Sequence, residues 1–102
     1  MKFLFLYRGG NAPQEKMEEY MKSWETWMTE LTQKGVYKSG IPVSGGKVVT
    51  STDVQDYQSS EGDVNGYSEI EAASIDEAVE LAKGCPGLPY GGTIEVRTGM
   101  DM

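Results

Sequence analysis

Between Lys2 and Arg8 the chain reads KFLFLYR, apolar or aromatic at every position except the two ends, and Gly9 and Gly10 follow at once. A short run of this kind, rich in aromatics and closed by glycines, predicts a β-strand. Successive side chains of a strand point to opposite faces, so Phe3, Phe5 and Tyr7 share one side and Leu4 and Leu6 the other. Both sides are therefore apolar. In a small α+β domain the helices cover one face of the sheet, which leaves the second to another cover; a partner subunit is the simplest candidate.

Residues 13–34, PQEKMEEYMKSWETWMTELTQK, predict one long helix. Pro13 suits a first helical turn, Glu15, Glu18 and Glu19 lie near the positive end, and Lys34 precedes the stop at Gly35. Its apolar stripe is Met17, Tyr20, Met21, Trp24, Met28 and Leu31, with Trp27 widening it. This spacing is what any sheet-packed helix needs, so a core or subunit-packing face is favoured over a ligand groove.

Gly40, Pro42 and Gly45-Gly46 break residues 36–52 into short pieces, with KVVTS read as a strand and GVY as a short edge strand. The polar, acidic stretch DVQDYQSSEGD, residues 53–63, reads as a surface loop or irregular hairpin. From residue 64 to 73 an extended pattern resumes, with Val64, Gly66, Ser68, Ile70 and Ala72 on one face and Asn65, Tyr67, Glu69 and Glu71 on the other. Ser74 followed by Glu77 is a capping box. It opens a helix to about Lys83 that turns Ile75, Ala78, Val79 and Ala82 inward and stops at Gly84. TIEVR, residues 93–97, is a strand. The order β, α, two or three middle strands, α, β predicts a ferredoxin-like α+β fold, an antiparallel sheet carrying two helices on one face.

At 102 residues the chain is expected to be a single domain spanning residues 1–102. Its apolar opening is too short for a signal peptide or a membrane span, so a soluble, cytoplasmic protein without a membrane partner is expected. Cys85 is the only cysteine and there is no histidine. That removes intrachain disulfides, four-thiolate metal sites and the commonest base near neutral pH, and the carboxylate spacing matches no calcium loop; no metal or cofactor is expected. The net charge of −7 divides into +2 for residues 1–50 and −9 for residues 51–102. Such a surface repels phosphate backbones, which argues against nucleic acid as a partner.

The opening KFLFLYRGG, the Trp24-Glu-Thr-Trp27 pattern before a glycine turn, and NGYSEIEAASIDEAVELAKGCP followed by GGTIEVR together make the chain resemble the YCII-related family, in the branch that contains the DGPF domain. The resemblance covers nearly the whole chain. It implies a homodimer in which two four-stranded sheets face each other as a dimeric α/β barrel, and the cleft between the sheets is the expected place for a small organic ligand. Some relatives are read as enzymes from a histidine and an aspartate lining a cleft, and others are fused to sigma-factor-like domains. In this chain the histidine has no counterpart. Asp53 matches the aspartate of the namesake motif, but Val54, Gln55 and Asp56 replace its Gly-Pro-Phe.

Asp53 is thus the candidate catalytic carboxylate. The candidate ligand-binding residues are Tyr7, Arg8, Trp24, Tyr67 and Arg97. Arginines bind carboxylate or phosphate in a bidentate manner, although Arg97 has a structural alternative in pairing with Glu69, Glu71 or Glu95. The rings of Tyr7, Trp24 and Tyr67 carry polar handles suited to a pocket or a dimer seam. Cys85 follows a helix stop and reads as a packing residue. The leading reading is a dimer that binds a ligand without a catalytic base. The alternatives are an enzyme using Asp53 with Tyr67 or Arg97, and a purely structural or regulatory dimer.

Overall fold

A computed structural model describes residues 1–100. Strand β1 (Lys2–Arg8) leads through a 3-10 turn (Gln14–Lys16) to helix α1 (Met17–Gln33) and strand β2 (Tyr37–Pro42). Strands β3 (Gly46–Val49) and β4 (Val54–Tyr57) precede β5 (Val64–Glu71), helix α2 (Ile75–Ala82), a second 3-10 turn (Leu88–Tyr90) and β6 (Thr93–Thr98). The main sheet is antiparallel in the order β2-β5-β1-β6, and β3 and β4 pair only with each other. With that hairpin set aside, the order and pairing are those of a ferredoxin-like α+β fold. Among the described residues no helix is long and apolar enough to cross a membrane.

The alternation read in the sequence decides which sheet face is the core. Phe3, Phe5, Tyr7, Ile70 and Ser68 are buried against Trp27 and Leu31 of α1 and Ala78 and Ala82 of α2. The ring of Phe5 stacks on Trp27 with centroids 6.5 Å apart. Leu4, Leu6 and Tyr67 lie on the opposite face, where no helix covers them, and are half-buried by their neighbours in the sheet. α2 is capped as its sequence predicts: the Glu77 amide donates to Ser74 Oγ at 3.1 Å.

Four details differ from the sequence pattern. The edge strand read as GVY is longer and lies later, since β2 runs from Tyr37 through Gly40 to Pro42, where the absence of a side chain at Gly40 lets it pair closely with β5. Only Ala78 and Ala82 of α2 are buried, while Ile75 and Val79 are exposed. A residue one position on is turned by about 100°, and α2 contacts the sheet through a narrow alanine stripe, so its flank stays open. In α1 the buried line runs through Trp27 and Leu31, and Met21 is 60% exposed at the edge of the stripe. The stretch read as a loop or irregular hairpin contains a regular strand, β4, which pairs with β3 in the register Gly46↔Tyr57 to Val49↔Val54. This hairpin is an arm: every residue from Ile41 to Gly62 is exposed, including Val49 and Val54.

Candidate functional site

Side-chain size along the core face of the sheet determines where a cavity forms. Toward one end the face is filled by Phe3, Phe5 and Ile70. Toward the other, Tyr7 is surrounded by Gly66, Ser68 and Gly40, which supply little volume. Gly40 is needed for the strands to approach, since a β-carbon there would lie 2.4 Å from the Tyr67 carbonyl oxygen. The space left beneath the first half of α1 is a cavity of about 440 Å³ with Trp24, Met28 and Met21 on the helix side. This volume is in the range of small-molecule sites. Exposed Met21 and Ile41 line it where it meets solvent.

The walls are aromatic. Tyr7 and Trp24 meet edge to face, with centroids 5.2 Å apart and planes at 85°, and Tyr20 meets Trp24 at 6.3 Å and 89°. The Tyr7 hydroxyl and Ser68 Oγ are hydrogen-bonded at 2.8 Å, both buried. Tyr20 donates its hydroxyl proton to the Gly10 carbonyl, Tyr37 donates to the Gly40 carbonyl at 3.4 Å, and Asn65 Nδ2 donates to the Gly9 carbonyl at 3.1 Å. Burial holds the Tyr7 phenol well above its ordinary range, more than the Ser68 bond offsets. It also raises the Cys85 thiol, against a smaller opposing effect of the Gly87 and Leu88 amides. Both groups are thus protonated at neutral pH.

Of the residues proposed from the sequence, Tyr7, Arg8, Trp24 and Tyr67 line this cavity, while Asp53 and Arg97 stand outside it. The Arg8 guanidinium is turned to the uncovered sheet face, where it donates to the Gly62 carbonyl at 2.9 Å and lies 3.5 Å from Glu95. Arg97 donates to the same Glu95 at 2.9 Å, which is the structural pairing that its acidic neighbourhood suggests. Asp53 closes the β3–β4 turn: its carboxylate accepts from the Val54 amide at 2.8 Å and from Gln55 Nε2 at 3.3 Å. Ser68 and Tyr37 are functional candidates that the sequence did not single out. Ser68 carries a legible signal, a hydroxyl at an inward strand position between Gly66 and Ile70. Tyr37 carries none, because β2 was read there only as a short edge.

Among the described residues no acidic side chain lines the cavity, and Arg8 is the one charged residue that does. Among the described residues no group of three or more carboxylates or thiols is placed to hold a metal ion. A larger depression of about 780 Å³ lies between α1 and α2, bordered by Glu19, Glu30, Glu77 and Glu80. It is a shallow surface groove with a charged rim, and the buried hydroxyl pair is not in it.

No protein-family model matches the chain, and no curated protein matches it significantly. Among solved structures, it is similar to 5-chloro-2-hydroxyhydroquinone dehydrochlorinase (TftG) from Burkholderia phenoliruptrix AC1100 in complex with 2,5-dihydroxybenzoquinone. The TM-score is 0.59 at 21% identity, over 98% of this chain and 94% of that one. At this identity the likeness is one of fold.

Proposed function

We propose that the chain is a single-domain, YCII-related protein of the DGPF branch that acts in the cytoplasm as a homodimer and holds a small organic ligand beneath α1. One observation carries the reading: a cavity of about 440 Å³, walled by Tyr7 and Trp24, contains a buried hydroxyl pair in an otherwise apolar setting. Apolar concavity with a few convergent polar groups is the usual make-up of a small-molecule site. The ligand of the solved neighbour, 2,5-dihydroxybenzoquinone, is a single ring of a size such a cavity accommodates. The two titratable hydrogen donors in the walls whose acidity burial alters, Tyr7 and Cys85, are both shifted away from neutrality. Binding without proton abstraction therefore fits the site better than general base catalysis.

A second reading, an enzyme using Asp53 with Tyr67 or Arg97, draws on the neighbour being a dehydrochlorinase. Within one chain the Asp53 carboxylate is tied into its own turn. This reading therefore requires the arm of one protomer to bring Asp53 to the cavity of the other.

A thermal-shift screen of single-ring and two-ring metabolites, repeated with Trp24→Ala and Asp53→Asn, tests both readings. Compounds that raise the melting temperature of the native protein and of Asp53→Asn, but not of Trp24→Ala, support ligand binding at this cavity. Turnover of a bound compound that Asp53→Asn abolishes supports the enzyme. A flat response from the whole collection argues against a ligand site.

A further inference from the structure

We infer that the ligand of this cavity is a neutral, flat ring bearing an oxygen that accepts a hydrogen bond from the Tyr7–Ser68 pair. The inference rests on reading the cavity as a ligand site. It narrows that reading from small organic molecules in general to uncharged oxygenated rings of the phenol, aryl ether and quinone kind.

The hydroxyl pair supplies the first reason. Each hydroxyl has one proton to donate, and the single bond between Tyr7 and Ser68 consumes one of the two. One donor is left over in a buried place. Among the described residues neither hydroxyl makes a second hydrogen bond, so nothing in the protein takes up that proton. A ligand oxygen that accepts satisfies the pair; an ammonium or an alkyl group does not.

Charge supplies the second. Among the described residues none of the acidic side chains that dominate this chain lines the cavity, so a cation entering it meets no carboxylate of theirs. An anion meets no free cation, because the Arg8 guanidinium is engaged by Gly62 and Glu95 on the opposite sheet face. Taking an unpaired charge of either sign out of water is costly. Cation–π attraction to the surrounding rings offsets only part of that for a cation. The suppressed ionisation of Tyr7 points the same way, since burial disfavours charge on the site's own phenol.

Shape supplies the third. Tyr7 and Tyr20 each stand nearly perpendicular to Trp24. A flat ring can lie against one wall while presenting its edge to another, the two arrangements aromatic pairs prefer.

Calorimetric titration of the full chain with five matched probes tests the inference: p-cresol, 4-methylanisole, toluene, p-toluate and benzyltrimethylammonium. p-Cresol and 4-methylanisole, whose shared feature is an accepting oxygen, are expected to bind at least tenfold more tightly than toluene, p-toluate or the ammonium ion. In the double variant Tyr7→Phe/Ser68→Ala, with folding verified by circular dichroism, the advantage over toluene is expected to vanish. Equal or tighter binding of p-toluate or benzyltrimethylammonium overturns the inference while leaving the ligand site intact. So does an oxygen advantage that survives in the double variant. Silence from all five probes overturns it as well, and the ligand-site reading falls with it only if the broader metabolite screen is also flat. Should the double variant not fold, the ratio of 4-methylanisole to toluene affinity in the native protein alone decides, a ratio near one overturning the inference.

Discussion

The Tyr7 hydroxyl lies 2.8 Å from Ser68 Oγ, joining β1 to β5 on the helix-facing side of the sheet. The two residues are diagonal neighbours, since Tyr7 is directly opposite Gly66 and Ser68 is opposite Phe5. Burial makes this bond matter for stability as well as for binding. Ser68→Ala leaves a buried phenol without its partner, a situation that costs about 1–3 kcal/mol. The double variant Tyr7→Phe/Ser68→Ala leaves neither group behind. It is expected to be less destabilised than the sum of the two single changes, by roughly 1 kcal/mol, in urea denaturation of all four proteins. Strict additivity would show that the two hydroxyls do not interact.

The same burial predicts how stability responds to alkali. The folded-state ionisations of Tyr7 and Cys85 lie above their ordinary values. Each group therefore contributes stability that is fully present below its unfolded value and is lost as pH rises toward the folded one. The loss begins near pH 8.5 for the cysteine and near pH 10 for the tyrosine, at about 1.4 kcal/mol per pH unit for each group. Denaturation midpoints measured from pH 7 to 11 are expected to fall more steeply above pH 10 in the native protein than in Tyr7→Phe. Cys85→Ala is expected to remove the earlier onset. Parallel curves for native protein and Tyr7→Phe would mean that Tyr7 ionises as freely in the fold as in water.

One wall of the cavity depends on backbone contact between three glycines. A β-carbon at Gly92 would lie 2.8 Å from both the Gly10 Cα and the Gly87 carbonyl oxygen, atoms that cannot swing aside as a flexible side chain can. Gly92→Ala therefore forces the end of β1 away from the loop after α2. We expect a loss of about 1–3 kcal/mol in stability, typical of overpacking, and weaker binding of any cavity ligand. Gly35→Ala is the control. Gly35, unlike Gly92, has a positive φ, 75°, but a β-carbon there meets nothing within 4 Å. It is expected to cost only the backbone strain, about 1 kcal/mol, with ligand affinity unchanged.

The core and the element order were legible because each rests on a local pattern. The alternation in KFLFLYR placed Phe3, Phe5 and Tyr7 together, and the Ser74 and Glu77 pair located the start of α2. The cavity was only half legible. Tyr7 and Trp24 stood out as large rings with polar edges, but the space beside them exists because Gly40, Gly66 and Ser68 are small, and a sequence shows side chains more readily than voids; the Tyr67 ring belongs to the other sheet face. Arg8 and Arg97 looked like ligand clamps because their positions at strand ends suited one. Glu95 engages both: its pairing with Arg97 was legible as a local alternative, whereas its approach to Arg8 depends on the non-local pairing of β1 with β6. Asp53 was marked by its motif position, and its turn chemistry becomes visible only once β3 and β4 are in register.

The uncovered sheet face gives the remaining prediction. Leu4 and Leu6 occupy the centre of the main sheet on the side without helices, with Tyr67 beside Leu6 across the β1–β5 pairing. A central strand with leucines turned to water is hard to reconcile with a lone subunit, and a two-fold contact between such faces buries each leucine in both copies. Full burial of one leucine is worth about 1.5–3 kcal/mol. Leu6→Lys replaces two such contributions per dimer with two like charges. Sedimentation of the native protein at micromolar concentration is expected to give twice the 11.2 kDa chain mass. Leu6→Lys is expected to raise the dissociation constant at least about a hundredfold, while its circular dichroism stays native, because the core face is untouched. Replacing Thr32, which is exposed on α1 at the far side of the helix layer, is the matched control and is expected to leave the mass unchanged. A native protein that sediments as a single chain, or a dimer indifferent to Leu6→Lys, would place the subunit contact elsewhere and leave the leucine face to be explained by the sheet alone.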